Sequence, residues 1–268
     1  MPELPEVEAV CRRLRRHLSG RRIVAARLFR ARLCAPQSPA QFARAVTGQR
    51  FVSIERRGKN ILAHLERATL WAHLRLTGNL YTISDPERRP ATASACLVLD
   101  NARALVFDDP RGLGMLRAVA PGEAGRALAG LGPDPLSGEL TLARFAALAG
   151  GGRSSIKTLL MDQKRLAGLR NIYAAEALFR AGIDPRRPGA RLGKVRLRRL
   201  HRAIVQVLRE GLTSAVTGYR GPGGFVETEF FQPAVYGRQG LPCRRCGRKI
   251  RRIRQSGRST FFCPGCQR

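Results

Sequence analysis

Four of the seven cysteines fall in the pattern Cys243-x2-Cys246-x16-Cys263-x2-Cys266. Each Cys-x2-Cys turn supplies two thiolates, half of a tetrahedron, and the intervening residues suit two strands of a hairpin. The spacing predicts one four-thiolate zinc ion. With all four positions taken by sulfur and no His or Glu in the segment, none is left for a reactive water, so the metal is structural. So short a segment (243–268) could hardly fold without such a staple. It also carries Arg244, Arg245, Arg248, Lys249, Arg251, Arg252, Arg254 and Arg258 beside Phe261 and Phe262. That is a cationic hairpin suited to gripping phosphates. Taken alone, it fits a binding-only zinc ribbon as well as an enzyme.

The second group able to do chemistry is the N-terminus. In Met1-Pro2-Glu3-Leu4-Pro5-Glu6, a small second residue permits removal of the initiator methionine, which exposes proline's secondary amine. α-Amino groups titrate near 8, well below lysine's roughly 10.4, and proline's is somewhat more basic than the general case; a useful fraction is still free base near neutral pH. A secondary amine attacking an aldehyde-level carbon gives an iminium directly, an electron sink for elimination. Glu3 and Glu6, three apart at a helix start, could both face that amine, one as proton donor and one as orienter. Ordinary helix-entry chemistry explains the same prolines and acids equally well.

These groups need elements to hold them. Val7, Val10, Cys11, Leu14 and Leu18 recur at helical spacing, so a helix is predicted over 5–18, stopped by Gly20. From about 22 to 117 the character is short strands: Arg22–Leu28, Arg50–Glu55, Ile61–Leu65, Leu70–Leu76, Cys96–Leu99 and Ala104–Phe107. Gly132-Pro133-Asp134-Pro135 breaks the chain, and helices are expected beyond it at about 141–149, 154–162, 171–182 and 193–213, with Ser154 or Ser155 capping the second. The isolated Cys11, Cys34 and Cys96 are expected to pack as small hydrophobes.

Composition bounds the partner. The chain has 268 residues, 49 Lys+Arg against 19 Asp+Glu, and a net charge of +30, with no apolar run of membrane-spanning length. A secreted disulfide scaffold, a membrane protein and a disordered chain are excluded, and nucleic acid is the favoured partner. Lysine occurs only at 59, 157, 164, 194 and 249, so 49 − 5 = 44 cations are arginine, part of which reflects drift of composition rather than placement.

The residues resemble those of a known family. The opening Met1-Pro2-Glu3-Leu4-Pro5-Glu6-Val7-Glu8 resembles that of bacterial formamidopyrimidine-DNA glycosylase, and Val235-Tyr236-Gly237-Arg238 with the cysteine quartet resembles its close. Between them, in family order, stand His73-Leu74-Arg75-Leu76-Thr77-Gly78, Asp109-Pro110-Arg111, Leu131-Gly132-Pro133-Asp134-Pro135-Leu136, Leu160-Met161-Asp162-Gln163-Lys164 and Asn171-Ile172-Tyr173-Ala174-Ala175-Glu176. Leu4 is closer to this enzyme than to its relative endonuclease VIII.

The resemblance implies an α+β chain: an N-terminal β-sandwich with a leading helix (1–133), a helix–two-turns–helix domain (134–233) and a zinc finger (234–268). It implies a monomeric, cytoplasmic bacterial enzyme that removes oxidised purines, 8-oxoguanine and formamidopyrimidines, from double-stranded DNA and nicks the abasic strand by β,δ-elimination. Pro2 would attack C1′, Glu3 would transfer protons and Glu6 would support the site. Lys59 would act near the lesion phosphates and in elimination, and Arg258 would grip phosphates and assist the second elimination. Arg153, Lys157 and Asn171 fall on phosphate contacts, where helix N-termini and turns offer N–H groups. The target base must be everted, and Leu76, Arg111 and Leu113 occupy the positions of the wedge that fills its place. The loop 218–230, headed by Tyr219, matches the region covering the everted base.

This sequence also departs from the family. Leu76 and Leu113 replace a typical Met and Phe, which weakens stacking, although leucine serves as an apolar wedge. Gly112 stands where a second arginine is common, and Ala91-Thr92-Ala93-Ser94 replaces a histidine-bearing approach, so two phosphate contacts are lost. Arg170 replaces a glycine; if that residue must be left-handed, arginine costs about 1 kcal/mol or more. Two alternatives stay open: an endonuclease VIII-like preference for oxidised pyrimidines, and a non-catalytic paralogue that binds damaged DNA.

Overall fold

The computed structural model describes residues 2–219, 221 and 231–268. The leading helix α1 runs Leu4–Leu18, with Pro5 in its first turn and Val7, Val10, Cys11, Leu14 and Leu18 on the buried face. Strand β1 (Ile23–Leu28) and helix α2 (Pro39–Val46) follow. Strands β2 (Phe51–Arg57), β3 (Asn60–Leu65), β4 (Thr69–His73), β5 (Asn79–Ile83), β6 (Ala93–Leu99), β7 (Ala104–Asp108) and β8 (Met115–Val119) complete this part, and the short helix α3 (Glu123–Ala127) closes it.

The strands make two four-stranded antiparallel sheets, ordered β1-β6-β7-β5 and β2-β3-β4-β8. Ile23, Leu97 and Phe107 of the first sheet, Phe51, Ile61 and Leu116 of the second, and the α1 face share one core. Cys11, Cys34 and Cys96 lie within it, as small hydrophobes should. Burial, and then the Glu8 charge, push the Cys11 thiol up to about 12.

The expected strand over 70–76 ends at His73, because Arg75, Leu76 and Thr77 form a turn in which Arg75 has φ +57°. Strands β5 and β8 and helix α2 were not expected. Helix α2 is short, but Ser38 and Gln41 close a capping box at its start.

Helices α4 (Leu142–Gly150), α5 (Ile156–Met161), α6 (Asn171–Ala181) and α7 (Lys194–Gly218) come next. Ser155 caps α5, accepting from Thr158 N. Strands β9 (Arg251–Gln255) and β10 (Arg258–Phe262) form the terminal hairpin. By contacts the chain divides into two compact units, Met1–Ala129 with Ala215–Glu227, and Gly130–Ser214 with Thr228–Arg268. The end of α7 belongs to the first unit, where Ala215 packs on the core.

Candidate active site and nucleic-acid surface

In the first unit, Pro2 is buried immediately ahead of α1. Glu3 is its N-cap, and Glu3 N donates to Glu6 Oε2 at 2.8 Å while the Glu3 side chain faces the Glu6 N–H, a capping box built from two glutamates. Both carboxylates are nearly inaccessible, at 1% and 7% exposure. The spacing of three that could serve catalysis is therefore also a helix-start device, and the two readings coincide in one geometry.

One turn further on, Glu8 receives Arg56 Nε at 2.9 Å, Arg12 Nε at 3.1 Å and Arg15 Nη1 at 3.2 Å. Burial alone would raise the Glu8 carboxyl, but the Arg56 charge and hydrogen bond, with Arg12 and Arg15, outweigh it and hold the group below its ordinary value. Arg56 also donates from Nη1 to Gly58 O at 2.9 Å. Gly58 and Lys59 form the two-residue turn between β2 and β3, with Gly58 at φ +57°. Lys59 is 8% exposed, uncommon for a hairpin tip. The chain Glu8–Arg56–Gly58 thus ties the helix start to the turn that carries the lysine. Trp71 Nε1 steadies the far side, donating to Asn60 Oδ1 at 2.9 Å.

The three positions expected to form the wedge lie on two loops. Leu76 is 39% exposed at the β4–β5 turn, Arg111 is exposed, and Leu113 is half-buried before β8. Asp109, fully buried, joins the loops: Oδ1 accepts from Thr77 Oγ1 at 2.6 Å and Arg111 N at 3.3 Å, and Oδ2 from Gly114 N at 2.7 Å. Tyr219 Oη lies 2.8 Å from Asn79 Oδ1, and Asn79 Nδ2 donates to Gly221 O. Residues 220 and 222–230, most of the loop expected to cover an everted base, lie outside the described residues.

In the second unit, Arg153 is exposed ahead of α5, and Asn171 begins α6 with Oδ1 buried and without a partner among the described residues. Lys157 is wholly buried. Its Nζ donates to Ser259 O at 3.0 Å and Thr260 Oγ1 at 2.6 Å. These are the residues directly after Arg258, which is exposed at the start of β10. Thr158 Oγ1 meets Ser256 Oγ, and Gln255 Nε2 donates to Ser155 Oγ. Arg170 has φ −137°, not a left-handed value, so the expected strain is absent; Gly168, at φ +84°, takes the left-handed position instead.

The Sγ atoms of Cys243, Cys246, Cys263 and Cys266 lie within 4.8 Å of one another, with Cys243–Cys266 at 3.9 Å and Cys246–Cys263 at 3.4 Å. A tetrahedron with Zn–S bonds of about 2.3 Å has sulfurs about 3.8 Å apart, so the thiolates fit one zinc ion. Two buried side chains that sequence reasoning missed hold this segment. Glu176 accepts from the N–H groups of Ala234, Val235 and Tyr236, and Gln267 bridges Cys263 N and Ile183 O. Glu176 lies inside a motif read from the sequence, but its partners are about sixty residues away.

Three family models cover these parts: the formamidopyrimidine-DNA glycosylase N-terminal domain over residues 1–116, its H2TH domain over 131–220, and the zinc finger found in FPG and IleRS over 240–268. The chain belongs to the formamidopyrimidine-DNA glycosylase family. Members bearing that family name from Alkalilimnicola ehrlichii and Paracoccus denitrificans are 40% and 41% identical, with all of this chain and all of each relative covered. Among solved structures, the Lactococcus lactis glycosylase in complex with Fapy-dG DNA matches at TM-score 0.89 and 28% identity, over 99% of each chain. The same protein with abasic-site DNA matches at 0.88 and 27%, over 100% of each. MutM with carbocyclic 8-oxo-G DNA matches at 0.88 and 29%, over 99% of each. The resemblance seen in the motifs thus extends along the chain, and the cysteine quartet is the family's structural zinc site. Among the described residues, no helix is long and apolar enough to cross a membrane.

Proposed function

We propose that this glycosylase is bifunctional, removing oxidised purines, 8-oxoguanine and formamidopyrimidines, from duplex DNA and then cleaving the abasic strand as a monomer. The observation that carries the reading is the capping box: a buried Pro2 directly precedes two buried glutamates whose groups are locked together at 2.8 Å. The free secondary amine of Pro2 attacks C1′; the N–C1′ bond forms and the glycosidic bond breaks, the base leaving with a proton. Opening of the sugar ring then gives the iminium, with Glu3 moving the proton to the ring oxygen. Loss of a C2′ proton breaks the 3′ C–O bond, a second elimination breaks the 5′ C–O bond, and water frees the amine. Glu6 orients Glu3 through its backbone N–H. Lys59 and Arg258 serve the phosphates and the eliminations. Leu76, Arg111 and Leu113 fill the vacated space, and Arg153 and Asn171 meet the backbone. For Lys157, its burial supports action through the hairpin that bears Arg258. The relatives solved with Fapy-dG and abasic-site DNA support the substrate class. A functional partition at 133 and 233 is part of the same reading.

A second reading, preference for oxidised pyrimidines, is favoured by the aliphatic Leu76 and Leu113. Borohydride trapping tests both. The processed protein on an 8-oxoguanine:C duplex should give a covalent adduct that Pro2→Gly abolishes or greatly slows. Stronger trapping on an oxidised-pyrimidine duplex selects the second reading. No adduct on either duplex or on an abasic duplex would leave a binding-only paralogue. Mass spectrometry of the N-terminus should show Met1 removed.

A further inference from the structure

The sequence lacks a cation at Gly112 and another over Ala91–Ser94, and one residue touches both places, by its backbone at the second and its side chain at the first. The Arg30 backbone, in the segment after β1, is anchored at the second gap: Phe29 N and Arg30 N both donate to Ser94 O, at 2.9 and 3.4 Å. Its side chain lies at the first, with Nη1 donating to Asp109 O at 2.8 Å. Gly112, at φ +63°, has no side chain, and a Cβ there would lie 2.7 Å from Arg30 Nη1. A side chain at 112 would therefore have to displace the end of the Arg30 side chain from this place. Arg30 is half-buried, and Nη1 is the one of its side-chain donors held by a described residue. Arg89, with its guanidinium carbon 4.7 Å from the centre of the exposed Phe29 ring, adds a second cation at the same edge.

We infer that Arg30 is a DNA-phosphate contact of this protein, standing beside the wedge loop in place of the cations absent from 112 and 91–94. One group does two things: its Nη1 braces the backbone carbonyl of Asp109, and its remaining N–H donors face a backbone phosphate of the strand that the wedge enters. The inference rests on the wedge reading of Leu76, Arg111 and Leu113.

The test is equilibrium binding by fluorescence anisotropy to a duplex bearing a tetrahydrofuran abasic analogue, and to its undamaged counterpart, from about 50 to 200 mM KCl. Arg30→Gln keeps a polar side chain but loses the charge. It should bind about tenfold more weakly and flatten the log–log salt slope by about 0.9. Arg30→Lys should keep the slope. A wild-type slope in Arg30→Gln overturns the inference, as does weaker binding that is matched only by a lower thermal midpoint; Arg30 would then be a loop brace alone. Failure of the functional reading looks different: wild-type protein would not prefer the abasic duplex.

Discussion

Lys157 Nζ lies 2.6 Å from Thr260 Oγ1, so a fully buried ammonium on α5 holds the strand that begins with Arg258. A buried charge needs such partners. Lys157→Met keeps much of the volume but leaves Thr260 Oγ1 and Ser259 O with fewer donors, at about 1–3 kcal/mol. Calorimetry should show that loss, and anisotropy should show weaker DNA binding with the wild-type salt slope, since no phosphate contact is removed. A slope reduced by about 1 would instead mean that the ammonium meets phosphate directly.

Thr77 and Asp109 couple the loops that carry Leu76 and Arg111 through one hydrogen bond. Thr77→Val preserves shape and removes the hydroxyl, so the buried carboxylate loses a donor at a cost of about 1–3 kcal/mol. Trapping on damaged duplex should fall, while trapping on a preformed abasic site, which needs no base eversion, should fall less. Thr77→Ser should restore both. Equal losses on the two substrates would argue that the bond supports folding alone.

Glu8 gives the first unit a defined acid sensitivity. Its folded value lies below the ordinary 4.5, so its contribution is complete above 4.5 and fades as pH drops through the depressed value. Near neutral pH, Glu8→Gln should cost about 2 kcal/mol, because the buried Arg56 loses the charge and one acceptor at Glu8. Thermal midpoints of wild type and variant should converge as pH falls below the ordinary 4.5 and through the depressed value. A gap constant across that range would show that packing, not the ion pair, sets the cost.

Zinc removal should act on one part of the chain. Chelation should abolish DNA binding and expose 234–268 to protease, because four thiolates at these distances lose their only shared partner. The sheets of the first unit should stay folded, as read by near-UV circular dichroism of Trp71, which lies in β4. Unchanged binding after complete zinc loss would count against the hairpin as a phosphate grip.

The features legible in the sequence were those whose partners are near in the chain. The cysteine pairs, the Glu3–Glu6 spacing and the α1 face each repeat within a few residues, and each was found. Hydrophobic alternation continues through the turn at Leu76 and extends the predicted strand, while the turn's own signal is a left-handed Arg75 that no pattern reveals. Helix α2 has a signal of its own, Ser38-Pro39 followed by Gln41, but it is only eight residues long. The burial of Lys157 was not legible, since its acceptors are 102 and 103 positions away. Arg30 was lost among forty-four arginines, and only a glycine in another segment marks its place. The charge of +30 points to the partner; position decides which cations matter.

The turn at Gly58-Lys59 carries one more consequence, for how related chains differ in length. Hairpin tips are ordinarily where insertions are accepted. Here the tip is inside the protein, its carbonyl is held by Arg56, and next to it Ser53–Arg57 pair one for one with Asn60–His64. One added residue would slip β2 against β3 and turn each following side chain to the opposite face. Relatives of this chain should therefore vary in length elsewhere, and between positions 57 and 60 they should not vary in length at all.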